Sequence, residues 1–380
     1  GAYFGLPRIA LAGVETDRRL IFIFQRGGQD GLHVLPPYRD PEYRRLRPHL
    51  AVAPPGEESG ALTINDTFGL HPSLGNLHRA WSDGDLLICP AIATRYRQRS
   101  HFDAQNLLEN GSGVPFGATD GFLNRSLAGL PGRREPRGVA GGAAVPLILQ
   151  GSAKVKSWAP STMPDVDHDF LERLLESYKA DPQLHSALSE SMRDGPAGNE
   201  LSRRDTRRVN RGREPVIAAR AIAKSLGSED GARVAVLEMN GWDTHSGQAA
   251  RMEKLLADFD SVVETLRSEL AQVWSQTLIV TVSEFGRTVA ENGARGTDHG
   301  TAGTSFVLGG AVRASGVVGD WPGLDAKALH EGRDVFPANP LEALLKTICV
   351  DHLALGPRFV ERKVLPGTAS IRQLKGLLDA

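Results

Sequence analysis

The sequence predicts an α/β fold, a mostly parallel central sheet with helices on both faces, on three observations. Short apolar runs recur along the chain: Leu20 to Phe24, Leu86 to Ile92, Ala143 to Leu149, Ala232 to Leu237, Leu278 to Val282 and Phe306 to Leu308. Runs of this length and composition read as strands buried on both faces. Segments of helical period lie between them, and that alternation implies βαβ units. Several runs also end abruptly in charged residues set among glycines. The carboxyl ends of parallel strands are where open α/β sheets bind ligands.

Leu20 to Phe24 reads as the first central strand and breaks into Gln25-Arg26-Gly27-Gly28-Gln29-Asp30-Gly31. The glycines allow a tight turn that presents Asp30, a candidate metal ligand or simply the Asp of an Asp-Gly turn. Pro36 to Gly60 lacks periodicity and reads as surface loop over the site. Leu74, Leu77 and Trp81 fall at helical spacing after Pro72, in a helix that stops near Gly84. The strand Leu86 to Ile92 is followed by Ser100, His101 and Asp103 at a helix start. That position offers free N–H groups, so Ser100 is either a nucleophile or a plain cap. Arg95, Arg97 and Arg99 just ahead suit an anionic group or a solvated loop equally.

His168 to Met192 reads as helical, and the arginine-rich stretch 193–214 as an exposed excursion from a single domain spanning 1–380. Glu214 to Leu226 is a further helix. The strand Ala232 to Leu237 runs into Gly241-Trp242-Asp243-Thr244-His245. In an extended segment Asp243 and His245 point the same way and can share one metal. Gln248 to Trp274 is the clearest helix, with Met252, Leu256, Phe259, Val263 and Leu266 in one apolar stripe. Leu278 to Val282 then gives way to Glu284, Arg287, Asp298 and His299 among five glycines, the densest group of candidate site residues in the chain. A helix over Leu341 to Leu353 and a short one from Ile371 complete the reading.

Lys+Arg of 44 against Asp+Glu of 45 excludes a general nucleic-acid or membrane-surface binder. No apolar run approaches the ~20 residues that span a bilayer. Cys89 and Cys349 sit in apolar runs and read as buried thiols. There is no GxxxxGK[ST] or GxGxxG motif to argue for a nucleotide enzyme. The opening GAYFGLPRIALAG is either a processed export remnant or a tail.

The blocks QRGGQDGLHVLPPY, FGLHPSL, RSHFDAQNLLENG, GWDTH, SEFGRT and GTDHGTAGTSFVLGG occur in this order over almost the whole chain. In them the chain resembles the bacterial family known as domain of unknown function 1501, which is similar to the alkaline phosphatase and sulfatase superfamily. The resemblance implies an alkaline phosphatase/sulfatase-like fold, one or two metal ions and export to the periplasm by the twin-arginine route. Asp30, Asp243, His245 and His299 resemble that superfamily's metal ligands, Glu284 falls where it often has Asp-His-Gly, and Ser100 lies near the nucleophile position. Phe285 departs from the pattern by standing where a ligand is common.

Two functions follow. The first is a metal-dependent hydrolase of a phosphate or sulfate ester on a small molecule or glycan. Asp30, Asp243, His245, Glu284, Asp298 and His299 would hold the ion, zinc favoured over manganese or calcium. Ser100, His101, Arg99 and Arg287 would serve the chemistry, the arginines by stabilising developing charge. The second is a non-catalytic binding or scaffold protein with a degenerate site, motivated by Phe285.

Overall fold

The computed structural model describes residues 16–132, 135, 137–159, 168–193, 214–374 and 376–378. Its strands, in chain order, are β1 (Arg19–Gln25), β2 (Leu62–Thr63), β3 (Gly69–Leu70), β4 (Leu86–Ala93), β5 (Gly138–Gly141), β6 (Val155–Trp158), β7 (Val234–Met239), β8 (Thr277–Val282), β9 (Gly303–Leu308), β10 (Gly316–Val317) and β11 (Asn339–Pro340). All but β2 and β3 join one sheet in the order β10-β4-β9-β8-β1-β7-β5-β6, with β11 also on β4. Strand β9 runs antiparallel to both β4 and β8, and the other pairings in the sheet are parallel.

The two-residue period of the strands divides the core. In β1, Ile21 and Ile23 face one layer, built on the helices Gly75–Ser82, Glu214–Gly227 and Gln248–Glu269. Leu20, Phe22 and Phe24 face the other, built on the helices His101–Asn110, Phe122–Gly129 and Leu341–Thr347. The sheet is therefore covered on both sides, as its near-continuous apolar strands require. Cys89 and Cys349 are free thiols in the second layer, and burial pushes both up to about 12.

Four local readings change. Ala143 to Leu149 is not a strand: its last residues form a 3₁₀ turn, and the sheet position belongs to Gly138–Gly141. A Cβ on Gly138 would meet Leu127 at 2.9 Å and one on Gly141 would meet Ile222 at 2.7 Å, so glycine lets the flanking layers close on this strand. Pro36 to Gly60 is more than loop. It holds the helix Pro41–Leu46, capped by Asp40, and buries Tyr43 and Arg47. The helix after Pro72 begins only at Gly75, where the Asp260 carboxylate accepts from the N–H groups of Asn76 (3.0 Å) and Leu77 (2.9 Å), a cap supplied from 183 residues away. No helix forms over the described residues after Ile371. The excursion expected at 193–214 lies, but for its two end residues, outside the described residues.

Because β9 is reversed, its amino end lies on the same sheet edge as the carboxyl ends of β1, β4, β7 and β8. The turns after those four strands and the segment leading into β9 converge there.

A candidate metal centre at the carboxyl edge

Three of these segments supply a compact donor cluster. His101 opens the helix after β4, Asp243 and His245 follow β7, and His299 precedes β9. Ligand atoms of His101, Asp243 and His299 all lie within 4.8 Å of one another. The Nε2 atom of His299 is 3.0 Å from Nε2 of His101, 3.0 Å from Nε2 of His245 and 3.3 Å from Oδ1 of Asp243. His245 Nε2 is 3.0 Å from the same Asp243 oxygen.

The other ring nitrogen of each histidine meets an acceptor. His101 Nδ1 is 2.8 Å from Glu284 Oε1, His245 Nδ1 is 3.3 Å from Asp298 Oδ1, and His299 Nδ1 is 3.0 Å from the Arg99 carbonyl. A carboxylate or carbonyl can only accept, so each Nδ1 carries the proton, and in the neutral rings each Nε2 presents a lone pair. His299 Nε2 lies 3.0 Å from the Nε2 atoms of both His101 and His245, and the Asp243 carboxylate lies 3.0, 3.3 and 3.6 Å from the Nε2 atoms of His245, His299 and His101, so these groups repel unless a cation lies among them. With zinc–nitrogen distances of about 2.0–2.1 Å, a tetrahedral site separates its ligand atoms by about 3.3 Å. The donor set thus fits a divalent metal, held by imidazoles whose outer nitrogens are oriented by a second layer of acceptors.

That second layer is built into the fold. Glu284 is buried, and its Oε1 also accepts from Gly27 N–H and Gln105 Nε2, each at 2.8 Å, while Ser283 Oγ donates to Oε2 at 3.0 Å. Burial opposes ionisation of Glu284, but these donors with His101 hold it below the usual carboxylate range. The hydrogen bond to Glu284 raises His101, and burial lowers His299. Burial also works against the Asp243 carboxylate, yet Arg287 keeps its pKa down. Arg287 is fully buried. It pairs with Asp243 and donates to the carbonyls of Gly27, Gly28 (2.7 Å), Trp242 (3.1 Å) and Thr297 (3.0 Å), tying together the loops after β1, β7 and β8. Two close approaches need glycine here. A Cβ on Gly296 would sit 2.2 Å from the His245 backbone, and one on Gly300 2.3 Å from that of Arg287.

The family described as Protein of unknown function (DUF1501) matches residues 17–364. This chain belongs to it. Among proteins with curated descriptions none matches. The DUF1501 chain is similar in structure to PsFucS1 sulfatase from Pseudoalteromonas sp., at 10% identity and a TM-score of 0.44 over 98% of this chain and 74% of that one. It is similar to alkaline phosphatase from the Antarctic bacterium TAB5, at 9% identity and 0.37 over 77% and 92%. It is also similar to Ps i-CgsB in complex with k-i-k-neocarrahexaose, at 10% identity and 0.37 over 77% of this chain. It spans 66% of that last chain, just under two thirds. Likenesses of this size say nothing about what this DUF1501 member binds or converts.

Of the sequence candidates, His101, Asp243, His245 and His299 come together with Asp298 and Glu284 behind them. Asp30 does not join them. Its Oδ1 caps Leu32 and His33 N–H, its Oδ2 takes Arg47 Nη1 at 2.8 Å and Gln248 Nε2, and it is buried beneath the site. Arg99 turns its guanidinium to Asp334 and Glu331 and offers the cluster only its carbonyl, at a φ of 59°. Ser100 caps no helix N–H with its side chain. Phe285 is buried with its ring 4.8 Å from that of His101 and 4.9 Å from that of His299, a floor under the two imidazoles. Sequence reasoning missed Gln105 and Arg333. Gln105 lies one helical turn beyond His101, and that spacing was the available signal. Arg333, half-exposed, donates to the His299 carbonyl at 2.9 Å from a loop with no periodic pattern.

Proposed function

We propose that this protein is a metal-dependent hydrolase of phosphate or sulfate esters, with a single divalent ion, zinc favoured, held by His101, Asp243, His245 and His299. The grouping of His101, Asp243 and His299 ligand atoms, with His245 Nε2 against both Asp243 and His299, carries the reading. Three imidazoles and a carboxylate suit zinc, and no hard-cation cage of oxygens accompanies them. The bound ion supplies Lewis-acid polarisation of the ester and a water of lowered pKa.

The chain's own residues do the rest. Glu284 and Asp298 fix the tautomer and aim of His101 and His245, and Arg287 keeps Asp243 ionised. Arg333 bonds Asp334 and the His299 carbonyl but remains half-exposed, unlike Arg99 and the buried Arg287, and is the guanidinium assigned here to an anionic ester oxygen. In this reading the attacking oxygen is that of water activated by the ion, and Ser100 is given no part in the chemistry. An exported location, as the family resemblance implies, belongs to the same proposal.

The test is metal analysis of the purified protein, followed by a panel of alkyl and aryl phosphates and sulfates with and without chelation. Stoichiometric metal and chelator-sensitive turnover are expected. A protein that takes up no divalent ion refutes the proposal. One that binds metal tightly and turns over nothing is a binding protein instead.

A further inference from the structure

One buried side chain joins two of the segments that carry the donor cluster. Gln248, which opens the helix Gln248–Glu269, accepts on Oε1 from Thr244 Oγ1 at 2.9 Å and from Thr297 Oγ1 at 2.6 Å. Thr244 stands between Asp243 and His245, and Thr297 is followed by Asp298 and His299. The two backbones meet at the same place, where Thr297 N–H donates to the Thr244 carbonyl at 3.2 Å. Gln248, Thr244 and Thr297 are all fully buried.

A glutamine amide can turn either end to a hydroxyl, and here Asp30 decides which. Its carboxylate accepts from Gln248 Nε2, so Oε1 is the atom left for the two threonines. Burial opposes the charge on Asp30, and Arg47 Nη1 at 2.8 Å keeps it ionised. Arg47 is itself fastened to the carbonyls of Val289 (2.7 Å) and Thr288 (2.8 Å). Asp30 is therefore no ligand, but it fixes the aim of the residue that ties the ligand segments together. A shift of either segment away from Gln248 by about 1 Å would carry its threonine out of hydrogen-bond range and leave a buried hydroxyl unpaired.

We propose that Gln248 is a positioning residue that sets the span between the Asp243/His245 segment and the Asp298/His299 segment, and with it the size of ion the cluster accepts. It acts through Thr244 and Thr297. The proposal rests on the metal reading of the cluster and specifies how that site is matched to a small ion such as zinc, whose bonds to imidazole nitrogen are about 2.0–2.1 Å long. Loosening the tie lets the segments part and favours a larger ion of the same charge.

The test is competition against a chromophoric chelator with zinc and with the larger cadmium ion, on wild type, Thr297→Val, Thr297→Ser and Gln248→Met, with melting of each metal-free form recorded alongside. Thr297→Val and Gln248→Met should bind zinc about tenfold more weakly while cadmium affinity changes less, so the preference for zinc falls. Thr297→Ser keeps the hydroxyl and should keep the wild-type preference. A general loss of stability weakens both ions alike and leaves that preference unmoved. Should Gln248→Met fail to fold, Thr297→Val decides alone. An unchanged preference in Thr297→Val, or one lost equally in Thr297→Ser, overturns the inference and leaves the metal site standing. A wild-type protein that takes up neither ion overturns both.

Discussion

Glu284→Gln is the substitution that separates charge from shape at this centre. The carboxylate takes Gly27 N–H, Gln105 Nε2 and His101 Nδ1 on Oε1, and Ser283 Oγ on Oε2. A glutamine with its oxygen in the Oε1 place keeps all three acceptances, and its NH₂ can donate to Ser283 Oγ. What disappears is the negative charge behind His101, whose pKa Glu284 raises chiefly through their hydrogen bond. Outer-layer partners of this kind are worth about 10- to 100-fold in metal affinity, or about 1.4–2.8 kcal/mol. The variant should therefore melt within a degree or two of wild type without metal, and bind zinc about tenfold or more weakly in competition with a chromophoric chelator. Glu284→Ala is the control. It strands the buried Gly27 N–H at about 1–3 kcal/mol, along with the part-buried donors of His101 and Gln105, and should lower the stability of the metal-free protein as well. Zinc affinity unchanged in Glu284→Gln would refute the carboxylate–histidine–metal arrangement.

Ser100→Ala should retain hydrolysis within about threefold in steady-state assays, because the proposed attacking oxygen is that of water on the ion; a loss of a hundredfold would make Ser100 the nucleophile. Arg47→Met breaks a fully buried pair with Asp30 and frees the carbonyls of Thr288 and Val289, so urea denaturation should register a loss of about 3–5 kcal/mol; a neutral result would show Asp30 to be protonated. Burial pushes His33 down to about 4 and His71 to about 3. Folded-state values below the unfolded ~6.5 mean stability that is complete above pH 6.5 and falls as pH drops toward 4. At 1.36 kcal/mol per unit, His33 alone accounts for about 3 kcal/mol. Chemical denaturation at pH 7 and pH 4.5 checks this, and equal stabilities would contradict it.

The sheet was legible because its strands are apolar on both faces and carry their own punctuation. Strands β1, β4, β7, β8 and β9 fall where the runs predict them. Strand β5 was not, since Gly138-Val139-Ala140-Gly141 has no β-branched density and owes its place to Leu127 and Ile222 pressing on its glycines. At the site, residue types at strand ends pointed to the sheet edge where the candidate cluster stands. Which residues meet was not readable from spacing. Asp30 and Asp243 each follow a strand in a glycine-rich turn, yet Arg47 takes the first into the interior and Arg287 holds the second at the cluster. Those guanidinium partners come from 17 and 44 residues away, beyond any local pattern. The reversal of β9 was equally hidden, because an apolar run does not state its direction.

The chain distances across the cluster bear on how the protein matures. His101 and His299 are 198 residues apart and His245 and His299 are 54 apart, so no local segment can assemble the donor set. β1, β4, β7, β8 and β9 must all be in register before the four ligand atoms face one another, and closing such long loops comes late and slowly in folding. A chain stalled with β4 or β9 unpaired would offer three of the four donors, and one with β7 unpaired only two. If the proposed ion binds there, its uptake would report completion of the fold, and binding to the finished state would draw the last unpaired strands home by mass action.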